Sequence, residues 1–177
     1  MQMRVLKVAI TGPESTGKTT LTKFLADYFQ APYSEEYSRQ YLQQNGPDYS
    51  YQDLDMIAEG QFRSQATVIH KANEVVFFDT DLTVIKVWSQ VRFGKVSDVV
   101  NELYLGQSVD LFLLPFYDVP WMYDPLRESP RTRKQLFMLY LQELNSHGAN
   151  YQLIRGNMFD RNFSAIHSVR AELNQNS

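Results

Sequence analysis

Gly12-Pro13-Glu14-Ser15-Thr16-Gly17-Lys18-Thr19 fits the pattern G-x-x-x-x-G-K-[ST]. Its glycines let backbone N–H groups curl around phosphate oxygens. The chemistry implied is the holding of a nucleoside triphosphate. Lys18 reaches the β- and γ-phosphates, Thr19 offers its hydroxyl to Mg²⁺, and residues Gly12 to Thr20 form the cradle. A second cluster, Val75-Val-Phe-Phe-Asp79-Thr80-Asp81, is an apolar run that ends in two carboxylates two positions apart. In an extended chain both point to the same side. One can hold Mg²⁺ through water and the other can meet a substrate hydroxyl. The competing reading is that Asp79 or Asp81 caps the helix that follows.

Two further stretches carry reactive side chains. Ser34-Glu35-Glu36-Tyr37-Ser38-Arg39-Gln40-Tyr41 places carboxylates where a general base could take a proton from an acceptor hydroxyl. The plainer alternative is the acidic start of an amphipathic helix. Pro120-Trp121-Met-Tyr-Asp124-Pro-Leu-Arg127-Glu-Ser-Pro-Arg131-Thr-Arg133-Lys134 is rich in arginine and reads as a lid, about 116–134, that clamps a moving phosphoryl group and excludes water. It could instead be a solvated basic face. His70, His147 and His167 show no metal-ligand spacing and are read as structural.

The elements that must position these groups follow from hydrophobic periodicity. Strand-length apolar runs occur at Val5–Thr11, Val75–Phe78, Val109–Leu114 and Tyr151–Ile154, with a weaker one near Ala31–Ser34. Most do not alternate, as parallel strands covered on both faces require. Helix-length segments lie at Lys18–Phe29, Glu36–Gln44, Gln52–Lys71, Asp81–Phe93, Arg133–Leu144 and Arg161–Leu173. In the first, Leu21, Phe24, Leu25 and Phe29 share one face. Asn45-Gly-Pro-Asp-Tyr-Ser is a turn cluster, with Ser50 or Asp53 available as a cap. Strands alternating with helices predict an α/β fold of three layers: a parallel sheet of about five strands with helices on both faces. In such folds ligands sit outside the carboxyl ends of the strands, which brings the 34–41 stretch beside the phosphate loop.

Composition bounds the partners. The 177 residues suit one compact domain. With 17 Lys+Arg against 20 Asp+Glu, the net charge of −3 argues against nucleic acid or anionic lipid as partner. There is no cysteine, which excludes thiolate catalysis and cysteine zinc sites. The first apolar run is short and broken by Lys7, unlike a signal peptide, and no run approaches the roughly 20 apolar residues of a membrane helix. The expectation is a cytoplasmic protein without membrane insertion; the oligomeric state is not legible.

The motifs together resemble the ribosylnicotinamide kinase domain of NadR proteins, within the NadR-like P-loop group, over about residues 8–166. The resemblance rests on the Gly12–Thr19 loop, Glu36-Tyr37-x-Arg39-x-Tyr41, Asp55-x-Ile57-Ala58, Asp79-Thr80-Asp81, Pro120-Trp121-x-x-Asp124-x-x-Arg127, Arg133 and Arg161. It implies strands in the kinase-type order, a mobile lid, and ATP-dependent phosphorylation of the 5′-hydroxyl of nicotinamide riboside to nicotinamide mononucleotide. It also implies that Arg161 serves ATP, and that Glu36, Tyr37, Arg39, Asp55, Asp81 and Trp121 serve the acceptor. Bifunctional NadR proteins carry a nucleotidyltransferase domain, which 177 residues do not accommodate, and Glu35 stands where the family pattern has tryptophan. The riboside carries a fixed pyridinium charge, which aromatic faces and carboxylates would attract. Tyr37, Tyr41 and Trp121 are candidates for the faces, and Glu35 and Glu36 for the charge.

Phosphoryl transfer works mainly by positioning and electrostatics. Lys18, the loop amides and Mg²⁺ on Thr19 and Asp79 would hold ATP; Glu36, Asp79 or Asp81 would take or orient the hydroxyl proton; Arg127 and Arg133 would stabilise charge on the phosphoryl group. Two alternatives stay open at this point. One is a kinase for another nucleoside or vitamin alcohol. The other is a nucleotide-dependent switch or adaptor, though the chain has no Asn-Lys-x-Asp guanine signature.

Overall fold

The structure, a computed structural model, describes residues 4–122 and 132–175. Strands β1 (Leu6–Ile10), β2 (Tyr33–Ser34), β3 (Val75–Asp79), β4 (Leu111–Pro115) and β5 (Tyr151–Ile154) form one parallel sheet in the order β2-β3-β1-β4-β5. Every residue of β3 and β4 is buried. That burial is the physical reason for their unbroken apolar runs, because neither face of a covered parallel sheet meets water. The strands are followed by helices α1 (Lys18–Phe29), α2 (Tyr37–Asn45), α3 (Asp53–Ile69), α4 (Leu82–Phe93), α5 (Asp98–Gly106), α6 (Arg133–Ser146) and α7 (Met158–Gln175). Among the described residues no helix is long and apolar enough to cross a membrane.

Alternation along β1 divides the core. Leu6, Val8 and Ile10 pack with Leu21 and Leu25 of α1 and Ala165 and Val169 of α7. Ala9, on the other face, joins Val76, Phe78 and Leu114 against Val87 of α4 and Phe137, Tyr140 and Leu144 of α6. A third cluster, with Leu42, Leu54, Ile57, Ile85 and Val100, binds α2, α3, α4 and α5 together. The register pairs Ile10 with Asp79, Ile10 with Leu113, and Ser34 with Phe78. The carboxyl ends of β1, β2 and β3 thus lie side by side, carrying the phosphate loop, the Glu36 stretch and the Asp79–Asp81 turn.

Local capping explains where the observed elements differ from the periodicity. Helix α7 begins at Met158, ahead of the expected Arg161. Asn157 and Asp160 exchange hydrogen bonds at its start, Asp160 Oδ2 accepting from the Asn157 N–H at 3.2 Å and Asn157 Oδ1 from the Asp160 N–H at 3.1 Å. Helix α5, absent from the sequence reading, is capped by Ser97, whose Oγ accepts from the Val100 N–H at 3.1 Å. It buries only Val100 and Tyr104, so its apolar stripe is thin. Helix α3 opens on Gln52 with no side-chain cap, so neither Ser50 nor Asp53 takes the expected cap position; they bond each other instead, Asp53 Oδ2 accepting from the Ser50 N–H at 2.6 Å and from its Oγ at 2.7 Å.

The contact between α2 and α3 is set by a glycine. A Cβ at Gly60 would lie 1.9 Å from Tyr37 Cε1, so the Tyr37 ring lies directly on the α3 backbone. Helix propensity alone predicts that Gly60→Ala stabilises the protein by about 1 kcal/mol. The overlap reverses the sign: we expect a loss of about 1–3 kcal/mol, read from the urea unfolding midpoint, and an unchanged or raised midpoint would refute this packing.

Candidate active site

The loop after β1 folds around left-handed backbone at Gly12, Ser15 and Gly17, with φ of +128°, +54° and +84°. At Gly12 a side chain is also excluded sterically, since a Cβ would stand 2.9 Å from Leu114 Cδ1. Thr16 Oγ1 donates to the Pro13 carbonyl at 2.8 Å, and Lys18 Nζ donates to the Gly12 and Pro13 carbonyls at 3.0 and 2.9 Å. Helix α1 opens on Gly17 with no capping side chain and no acidic residue in its first turn. Its leading N–H groups are therefore donors for an anion, reinforced by the helix dipole.

Two arginines brace this loop from distant parts of the chain. Arg161 of α7 is buried, its Nη1 donating to the Thr16 carbonyl at 2.9 Å, its Nε to the Gly156 carbonyl at 2.9 Å, and its Nη2 to the Phe116 carbonyl at 2.8 Å. It also pairs with Asp118. Burial raises the Asp118 carboxyl, but hydrogen bonds from the Gly156 N–H and Arg161, with the arginine charge, outweigh it and hold the group below its usual range. Arg133 donates from Nη1 to the Ser15 carbonyl at 3.2 Å and to the Val119 carbonyl at 2.8 Å. Its guanidinium lies 5.7 Å from the Trp121 ring centroid. The Met122 N–H donates to Ser15 Oγ at 2.8 Å, so Met122, within the expected lid, is docked on the loop. Asp124, Arg127 and Arg131 lie outside the described residues.

The three candidate base carboxylates have different surroundings. Asp79, 2% exposed, has an Oδ1 without a hydrogen-bond partner. Burial pushes its carboxyl up to about 6; hydrogen bonding with Thr19 and the charges of Lys18 and Arg39 oppose the rise, while Glu36 adds to it. Asp81, wholly buried, caps α4: Oδ2 accepts from the Thr83 N–H at 2.9 Å, from Thr83 Oγ1 at 2.5 Å and from Gln107 Nε2 at 3.1 Å. Glu36, the residue before α2, accepts from Ser38 Oγ at 3.1 Å and lines the open cavity. An unpartnered buried carboxylate oxygen beside the exposed Thr19 is a set of hard oxygens that suits Mg²⁺.

A cavity of about 1060 Å³ runs along this edge of the sheet. Its wall takes in Gly12 to Thr20 with Met158, Arg161 and Asn162, and also Leu42, Val84, Trp88, Leu136 and Tyr140, with Glu36 and Arg39. Trp88 is fixed in place, its Nε1 donating to Tyr49 Oη at 2.5 Å and its ring meeting Tyr49 edge-on. Tyr140 is 4% exposed; burial first, then the negative charges of Asp81, Glu14 and Glu36, raise its hydroxyl well above the ordinary range and keep it protonated.

The rings expected to face a substrate are elsewhere. Tyr37 is committed to Gly60, and Tyr41 lies in the third core cluster with its hydroxyl donating to Asp53 Oδ1 at 2.5 Å. Trp121 carries Arg133 and is not in the cavity wall. Asp55 bonds the Ser97 cap of α5, and Asp81 caps α4, so neither carboxylate lines the cavity. The rings that line the cavity are Trp88 and Tyr140. Periodicity marks both only as apolar helix positions; their signal is the convergence of α4 and α6 at one edge, which is tertiary.

Residues 7–161 match the model of the AAA domain family, and the chain belongs to that family. It is 31% identical over 165 residues to the trifunctional NAD biosynthesis/regulator protein NadR of Escherichia coli (strain K12), an alignment that covers 90% of this chain and 40% of that protein. The chain thus spans well under half of the curated relative. A crystal structure of NadR in complex with NR superimposes with a TM-score of 0.83 at 22% identity, over 94% of this chain and 50% of the other. A NadR complex with NAD and AMP-PNP gives 0.79 at 22%, covering 94% and 49%. These establish the P-loop kinase fold, and the similarity to NadR read from the motifs extends over most of the chain.

Burial of Asp79 has a sign that can be measured. Its folded-state value, about 6, lies above the ordinary 3.8, so its contribution to stability is full below pH ~4 and is lost as pH rises through about 6. Asp79→Asn removes the buried charge. We expect its stability relative to the parent to climb between pH 4 and 7 by on the order of 3 kcal/mol, followed by urea denaturation at several pH values; a pH-independent difference would contradict the burial.

Proposed function

We propose that this AAA-domain chain is an ATP-dependent kinase that phosphorylates the 5′-hydroxyl of nicotinamide riboside to give nicotinamide mononucleotide. The observation that carries the reading is one cavity lined both by the Gly12–Thr20 phosphate loop and by Trp88, Tyr140 and Glu36. The NAD-biosynthesis name of the E. coli relative and the NadR complex with NR support the acceptor; the AMP-PNP complex supports ATP.

In this reading Lys18 and the loop amides hold the β- and γ-phosphates. Thr19 and Asp79 would hold Mg²⁺, which when bound supplies neutralisation of phosphate charge. The pyridinium ring is taken between Trp88 and Tyr140, where the carboxylate field favours a cation. Glu36 is the base, because of the three candidates it alone lines the cavity. It takes the 5′-hydroxyl proton as the oxygen bonds to the γ-phosphorus, and the bond from that phosphorus to the β,γ-bridging oxygen breaks with its electrons leaving on ADP. Arg133 keeps the loop in shape through Ser15, Arg161 through Thr16, and Arg39 lines the cavity.

The direct test is ADP release from Mg-ATP with and without nicotinamide riboside, with a mass spectrum of the product. A species one phosphate heavier than the riboside, formed in step with ADP, is expected; ATP binding without stimulation by the riboside would overturn the acceptor. Lys18→Ala should lower turnover by about a hundredfold or more with the circular dichroism spectrum unchanged. Trp88→Ala should raise the riboside KM about tenfold while leaving the ATP KM in place, and equal effects on both would remove Trp88 from the acceptor chamber.

A further inference from the structure

Thr80 joins the two carboxylates of the β3 turn in a conformation its own chemistry does not explain. Its φ is +75°, a left-handed value that is an outlier for a β-branched residue. Asn and Asp tolerate this region through local side-chain hydrogen bonds, but the Thr80 hydroxyl is buried and has no partner. The conformation is held from outside. The Thr80 N–H donates to the Ile10 carbonyl of β1 at 3.1 Å, and the Thr80 carbonyl accepts from Gln61 Nε2 at 3.2 Å and Gln65 Nε2 at 3.3 Å. Both glutamines belong to α3 and are buried.

Gln61 does a second thing that Gln65 does not. Its Oε1 accepts from the Tyr37 N–H at 2.9 Å, the first residue of α2 and the neighbour of Glu36. One planar amide, 1% exposed, therefore ties the start of α2 to the turn behind Asp79. Gly60, the preceding residue, lets the Tyr37 ring seat on α3 beside it. We propose that Gln61 is a positioning residue that fixes Glu36 relative to Asp79, and so sets the spacing between the acceptor's base and the metal-holding carboxylate. This rests on the kinase reading for the role of Glu36, but the clamp on the Asp79 turn stands without it.

The test uses Gln61→Met, which keeps length and volume but removes both bonds, and Gln65→Met, which removes one bond to Thr80 alone. With nicotinamide riboside as acceptor, Gln61→Met should lower kcat by about tenfold to a hundredfold with the ATP KM within about twofold, and should raise the Mg²⁺ concentration that half-saturates binding of a fluorescent ATP analogue. Gln65→Met should show a several-fold smaller loss. Thr80→Gly added to Gln61→Met should restore part of the loss, because glycine holds φ near +75° without the clamp. A kcat loss in Gln61→Met no larger than in Gln65→Met, or no rescue by Thr80→Gly, would overturn the proposal. If Gln61→Met does not fold, Gln61→Leu and the Gln65→Met, Thr80→Gly pair carry the same comparison. If the parent phosphorylates no riboside, the kinase reading falls, and an unchanged Mg²⁺ dependence of nucleotide binding in Gln61→Met would separately refute the clamp.

Discussion

A parallel sheet with both faces buried can hold almost no polar side chain along its length, so polar chemistry is driven to its ends. Here the central strand β1 runs from Leu6 to Ile10 between two apolar layers, and polar residues begin just beyond it, at Thr11 and the glycine-containing loop. The same holds one strand away, where four buried apolar residues of β3 lead to Asp79. Because parallel register brings Ile10 level with Asp79, the two segments reach the carboxyl edge together. Phosphate cradle and buried carboxylate are neighbours as a consequence of strand direction.

The polar groups forced to that edge are only partly reconciled with burial. Arg161 is fully engaged, its donors shared among three carbonyls and Asp118, and a planar fork suits such a junction better than an ammonium would. It braces the loop between α7 and the end of β4. Asp79 is the contrasting case: a buried carboxylate with an unpartnered oxygen, raised to about 6. Proteins retain such unpaired groups at considerable cost, chiefly at functional sites. Arg161 is therefore satisfied within the fold, whereas Asp79, like Asp81, keeps a buried oxygen without a hydrogen-bond partner.

What was legible in the sequence was what short-range rules determine. The phosphate loop, the bounds of α1, the β3 carboxylates and the alternation of strands with helices depend on neighbouring residues, and all are found as expected. The capping role weighed for Asp81 is likewise local. The aromatic part of the cavity wall was not legible. Tyr37, Tyr41 and Trp121 sit close in sequence to charged motif residues, but proximity along a helix says nothing about which ring the packing consumes. Gly60 and Asp53 consume the first two and Arg133 stacks on the third, while Trp88 and Tyr140 arrive from α4 and α6. Gln61 was hidden for the same reason, since a glutamine inside an amphipathic helix shows no mark until its two bonding partners, 24 and 19 positions away, are known.

The cavity wall carries charge of both signs. The cradle offers Lys18, an uncapped helix start and loop amides, a field that draws anionic oxygens. Tyr140 in the same wall feels the negative charges of Asp81, Glu14 and Glu36, and Glu14 belongs to the phosphate loop itself. On the proposed kinase reading, these carboxylates would attract a pyridinium riboside more than a neutral nucleoside. Glu36 and Arg39 both line that wall. On the same reading, the charge that would draw in the cationic ring would also help to select the substrate.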